Sequence, residues 1–154
     1  MNPRRSSLLP ALLLLLLAAC GADSSGDPEK VSYAPSLGVD LGAMEKRPSG
    51  LYVLEQQVGN GTVEAGQGRA VEVHYTGYLV DGTLFDTSRG AATLPFTIGA
   101  GRVIAGFEEG VTGMRVGGKR RLILPSSLGY GARDLGNIPP HSVLIFDVEL
   151  VRMR

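Results

Sequence analysis

The stretch Val71–Asp86, VEVHYTGYLVDGTLFD, constrains the fold more than any other part of the chain. Val71, Val73 and Tyr75 alternate with Glu72, His74 and Thr76, the period of a strand with one buried face. Asp81-Gly82 supplies a tight-turn dipeptide, and TLFD begins the return strand of a hairpin. A half-buried hairpin needs further strands beside it. GLYVLEQQV, KRRLILP (ended by Pro125) and VLIFDVEL supply them, the last with Leu144, Phe146, Val148 and Leu150 on one face and Asp147 and Glu149 opposite. One segment breaks this period. In RVIAGFEEGVTGM, residues Ile104, Phe107, Val111 and Met114 fall at helical spacing, and Gly106, Gly110 and Gly113 limit the length of the helix. The pattern predicts an α+β domain over residues 49–154, an antiparallel sheet of about five strands wrapped around one short helix.

The N-terminus has a different character. Arg4 and Arg5, with no acid nearby, precede an apolar run from Leu8 to Ala19 that is short for a membrane-crossing helix. A basic start, an apolar run and small residues describe an export signal over residues 1–19. LAAC, Leu17–Cys20, resembles the lipobox of bacterial lipoproteins, in which the cysteine becomes the lipidated first residue of the mature chain. Cys20 is the only cysteine, so no intramolecular disulfide can form. Gly21 rather than Asp follows it, which in a double-membraned bacterium resembles sorting to the outer membrane, facing the periplasm. After the signal, thirteen basic groups face fifteen acidic ones, and the whole excess lies before Ser49. Residues 20–48, with Pro28, Pro35, Pro48 and little periodicity, read as a solvated, flexible tether.

The chemistry carried by the rest is sparse. Two histidines, His74 and His141, and one cysteine make no zinc site of familiar spacing, and no metal or cofactor is expected. There is no GxSxG elbow and no phosphate-binding loop. Glu108 and Glu109, adjacent on a helix, do not face each other. GGKRR (117–121) lacks interleaved aromatics and reads as a turn leading to an exposed strand start rather than a nucleic-acid patch. His74 faces away from Tyr75 and reads as a hydrogen-bonded sheet histidine. Aromatic residues recur at element ends instead: Tyr75, Phe85, Phe96, Phe107, Tyr130 and Phe146. They serve either as core or as an apolar basin between helix and sheet, covered by the Gly- and Pro-rich loop SSLGYGARDLGNIPP.

VHYTGYLVDGTLFDTS, GRVIAGFEEGVTGMRVGGKRRLILP, LGYGA and IPPHSVLIFDVELV, in that order, closely resemble the FKBP-type peptidyl-prolyl cis–trans isomerases. The resemblance spans residues 49–154 and implies a sheet around a short helix with a pocket for a prolyl ring or a macrolide. It implies Tyr75, Phe85, Asp86, Tyr130 and Phe146 as catalytic residues. Val103, Ile104, Phe107, Ile138 and Leu94 would bind substrate, with Phe96 in the core. The Tyr130 hydroxyl would donate to a substrate carbonyl, and Asp86 would orient pocket groups without acting as a base. Phe107 stands where the family usually has Trp. The flap Gly90-Ala91-Ala92 lacks the family's basic partner for the aspartate, leaving Arg89 as the nearest replacement. The activity implied is Xaa-Pro rotation in unfolded or exported proteins by a monomer. A non-catalytic module binding a Pro-containing partner is the alternative, and display of the domain as a surface ligand is compatible with either.

Overall fold

The structure, a computed structural model, describes residues 25–154, so the export signal and Cys20 lie outside the described residues. Seven strands form one antiparallel sheet: β1 Glu45–Lys46, β2 Tyr52–Gln57, β3 Ala70–Leu79, β4 Leu84–Thr87, β5 Leu94–Thr97, β6 Lys119–Leu124 and β7 Leu144–Met153. Their order is β1-β2-β6-β7-β3-β4, with β5 paired to the other end of β3. The expected strands are all present. The additional ones, β1 and β5, are short segments on the edges of the sheet, where few alternating residues mark a strand.

Helix α1, Ala105–Val111, crosses the concave face of the sheet. Its glycines do more than limit its length. A Cβ on Gly106 would lie 2.6 Å from Leu124 Cγ, and one on Gly110 would lie 2.2 Å from Leu122 Cδ1. The two glycines, one turn apart, therefore form the face on which α1 approaches β6. Behind them Phe107, Val111 and Met114 enter a core shared with Val53, Val71, Val73, Leu122, Leu144, Phe146, Val148 and Leu150. Arg120 is buried under the helix. Its guanidinium pairs with Glu55 (2.7 Å) and donates to the carbonyls of Gly110 and Thr112, holding groups the helix C-terminus leaves unpaired. The expectation of an exposed basic start to β6 therefore holds for Lys119 alone.

The hairpin between β3 and β4 turns over three residues rather than two. Gly82, at φ 89°, follows a turn closed by its own amide on the Leu79 carbonyl, and the Leu79 amide donates to the Thr83 carbonyl. Farther along, Gly77 pairs with Asp86 and Tyr78 with Leu84, leaving Phe85 as the extra residue of a bulge.

Residues 28–46 differ from the expected tether. They pack on the convex face of the sheet in three 3-10 turns and strand β1. Leu37 and Met44 are buried against Tyr52, Ile123, Val143 and Ile145, a second core on the outer side. The residues that suggested a linker are its caps. Asp27 accepts from the Glu29 amide and Asp40 from the Gly42 amide, while Pro28 and Pro35 open the turns they start. Glu29 receives both Lys46 (2.6 Å) and the Tyr52 hydroxyl (2.5 Å). The Ala34 amide donates to the Val80 carbonyl, and Arg121, paired bidentately with Asp147, also donates to the Leu37 carbonyl.

Candidate functional site: an aromatic cleft between helix and sheet

On the concave side the short helix leaves part of the sheet uncovered, and a cleft of about 420 Å³ remains. Its floor is a cluster of rings. Phe107 meets Phe146 at 5.2 Å, Tyr75 at 5.7 Å and Phe96 at 5.9 Å between centroids, and Phe146 meets Phe85 at 5.5 Å. The Phe107–Phe146, Phe107–Tyr75 and Phe85–Phe146 pairs stand edge to face, the arrangement favoured by the ring quadrupoles. Two backbone features bring Phe85 into the cluster. The bulge re-aims its side chain, and Gly77 leaves room for it, since a Cβ there would sit 2.5 Å from Phe85 Cζ. Neither was evident beforehand, although a glycine inside a strand pattern is the signal that marks such a place.

Tyr75 hydroxyl donates to Asp86 Oδ2 at 2.5 Å, and Asp86 Oδ1 accepts from the Thr87 amide at 2.8 Å. Burial first, and then the bond to Asp86, push the Tyr75 phenol up to about 12, so it stays a protonated donor throughout the neutral range. Tyr130 lines the cleft from the loop, and among the described residues its hydroxyl makes no hydrogen bond. His74 points off the cleft: its Nδ1 lies 3.0 Å from Ser88 Oγ, which also accepts from the Tyr75 amide. The loop itself is fastened at three points. His141 donates its amide to the Gly131 carbonyl, Asn137 donates its side-chain amide to the Phe85 carbonyl, and Ile138 is buried.

Tyr75, Phe85, Asp86, Leu94, Val103, Ile104, Phe107, Tyr130 and Phe146 thus converge on one cleft. Phe96 stays in the core beneath it, at 6% exposure. Ile138 does not line the cleft: at 4% exposure it is inserted in the main core, where its side chain holds the loop down. Arg89 does not replace the missing partner of Asp86 either. It pairs with Glu149 of β7 at 2.6 Å, and the Tyr75 hydroxyl and Thr87 amide hold the carboxylate instead. Arg102, Gly129 and Arg133 line the cleft without having been singled out. Charged residues on a loop and before a helix carry no periodic signal that would place them there.

A small antiparallel α+β domain whose cleft is walled by aromatic rings, with one carboxylate held by a phenol and no nucleophile–base pair, is built to receive a neutral planar group. The family model described as FKBP-type peptidyl-prolyl cis-trans isomerase matches residues 61–151. The chain is 49% identical over 106 residues to the FK506-binding protein of Neisseria meningitidis serogroup B, covering 68% of this chain and 96% of that protein. It is 47% identical over 107 residues to the peptidyl-prolyl cis-trans isomerase FKBP15-3 of Arabidopsis thaliana, covering 68% of this chain and 75% of that one. Among solved structures, the crystal structure of AtFKBP13 superposes with a TM-score of 0.66 at 40% identity, over 72% of this chain and 98% of its own. The chain belongs to the FKBP-type peptidyl-prolyl cis–trans isomerases, and its activity is rotation about Xaa-Pro bonds.

Proposed function

We propose that this isomerase is anchored in a bacterial cell envelope by a lipid on Cys20 and acts on Xaa-Pro bonds of exported proteins. The observation that carries the catalytic reading is the five-ring cleft with Tyr75, Asp86 and Tyr130 at its polar points. The prolyl ring rests in the cleft against Phe107, with Tyr75, Phe85 and Phe146 as walls, flanked by Val103, Ile104 and Leu94. The barrier to rotation, roughly 18–20 kcal/mol, comes from amide resonance. A planar amide is more polar than a twisted one, so an apolar cleft disfavours the ground state relative to the transition state. Tyr130 donates to a substrate carbonyl, and Asp86 fixes the Tyr75 ring as a wall. The relatives named FK506-binding proteins suggest that the same cleft accepts a macrolide. The monomer suffices for all of this, with no cofactor.

The anchor rests on the basic start, the apolar run and LAAC. Because residues from Gly26 onward pack on the domain, five residues separate Cys20 from Gly26, a reach of at most about 22 Å. The enzyme would then work close to the membrane surface rather than at the end of a long leash. One fractionation of a double-membraned bacterial host tests both halves. Rotation of a Leu-Pro peptide is followed in membrane and soluble fractions for wild type, Cys20→Ser and Asp86→Val. The expected result is membrane-bound activity that becomes soluble with Cys20→Ser and falls about tenfold with Asp86→Val, the size of one lost hydrogen bond. Activity that stays in the membrane fraction without Cys20 contradicts the lipid anchor. Undiminished activity in Asp86→Val contradicts the assignment of the cleft.

A further inference from the structure

The charges on the cleft do not match those of the rest of the molecule. Among the ten described arginines, Arg47, Arg89, Arg115, Arg120, Arg121, Arg152 and Arg154 each have a carboxylate within reach. Arg69, Arg102 and Arg133 have none among the described residues, and two of these three line the cleft. Both are exposed at its mouth, on opposite contributions of the chain: Arg102 on the approach to α1, Arg133 on the loop after Tyr130.

The acids that sequence proximity would offer them are engaged elsewhere. Asp134, next to Arg133, turns into its own loop and accepts from the Gly136 amide at 2.8 Å. Glu108, on the first turn of α1, accepts from the Gly101 amide at 3.2 Å. Asp86, the one acid lining the cleft, already holds the Tyr75 hydroxyl and the Thr87 amide. The cleft thus carries two guanidinium groups against one occupied carboxylate, in a domain, residues 49–154, whose ten acidic and ten basic residues balance. A guanidinium presents a fork of donors matched to a carboxylate, and none of that capacity is used here by the protein itself.

The prolyl amide is neutral, so nothing in the rotation calls for these cations. The residues beside the proline are the ones that pass over the rim. We infer that Arg102 and Arg133 set the sequence preference of the cleft, selecting prolyl segments with an Asp or Glu side chain next to the proline and disfavouring Lys and Arg there. This rests on the cleft being the isomerase site. It deepens that reading by naming the class of substrate: acidic prolyl segments.

The test uses the full chain in detergent micelles and tetrapeptides with both ends blocked, so that no terminal carboxylate stands in for the side chain. Glu, Gln and Lys are placed in turn before and after the proline, and kcat/KM for rotation is measured at low and high salt. In wild type, Glu is expected to exceed its isostere Gln by about three- to tenfold at one of the two positions, mainly through KM, with Lys below Gln. The preference shrinks in ~1 M salt, where the screening length is only ~3 Å. In the Arg102→Gln/Arg133→Gln variant, checked for folding by its thermal transition, the Glu-to-Gln ratio falls to one. The Arg102→Lys/Arg133→Lys variant retains part of it. A ratio of one in wild type at both positions overturns the inference, as does a ratio that survives in the double Gln variant. If the Gln peptides themselves are not accelerated, the assignment of the cleft as the isomerase site fails, and the preference falls with it.

Discussion

The two faces of the sheet are both apolar, yet they are covered in opposite ways. The concave face receives a regular helix, seated closely through Gly106 and Gly110, and the helix is too short to cover it fully. The convex face receives irregular chain, residues 28–46, which follows the surface and seals it with Leu37 and Met44. Regular structure leaves a gap because its shape is fixed, and that gap is the cleft. The irregular covering follows the sheet more closely, but only its last two residues, β1, join the hydrogen-bond ladder of the sheet. Side chains hold much of the rest: Glu29 to Lys46 and Tyr52, and Arg121 to the Leu37 carbonyl. One face is thereby available for chemistry and the other for stability.

That division of labour can be broken from either side. Phe107→Ala removes the ring around which the cleft is organised, and a buried Phe truncation costs about 3–5 kcal/mol. Urea unfolding should show that loss together with a collapse of isomerase activity. Leu37→Ala on the outer face should cost less, about 2 kcal/mol, because the covering chain can settle into the space. Its activity should remain within about twofold of wild type at temperatures where it is folded. An equal loss of activity from the two substitutions would show that the faces are not independent.

Gly110→Ala sharpens the inner side of the comparison. Gly110 is the penultimate residue of α1, so alanine there gains at most about 1 kcal/mol in helix propensity. Against this, the new methyl meets Leu122, fully buried and unable to retreat, and overpacking of that kind costs about 1–3 kcal/mol. The clash should win, with a net loss of about 1 kcal/mol in the same unfolding assay and a changed KM as α1 shifts over the cleft. A more stable variant would mean that the helix is free to move on the sheet.

How much of this was legible in the sequence follows from the same contrast. The concave side was readable because its residues repeat: Val71, Val73 and Tyr75, then Leu144, Phe146, Val148 and Leu150, each on a period-two face. The residues converging on the cleft followed from the resemblance, with Ile138 as the exception, since loop residues have no period to show which way they face. The convex side was misread because its covering has no period. A signal did exist. Ile123 and Ile145 sit between apolar neighbours in LIL and LIF, making both faces of those strands apolar, and the second face needed a partner. Arg102 and Arg133, the charges at the mouth of the cleft, had no such signal.

The central claim is that the cleft rotates a peptide bond by its environment, without transferring a proton. Neither histidine lines the cleft, and the Tyr75 phenol, pushed up to about 12, keeps its proton. The most direct test is kcat/KM for a Leu-Pro peptide measured from pH 6 to pH 9. The account predicts a profile flat to within about twofold. A bell, or a tenfold slope with a limb inside that window, would reveal a general acid or base in the cleft and contradict it.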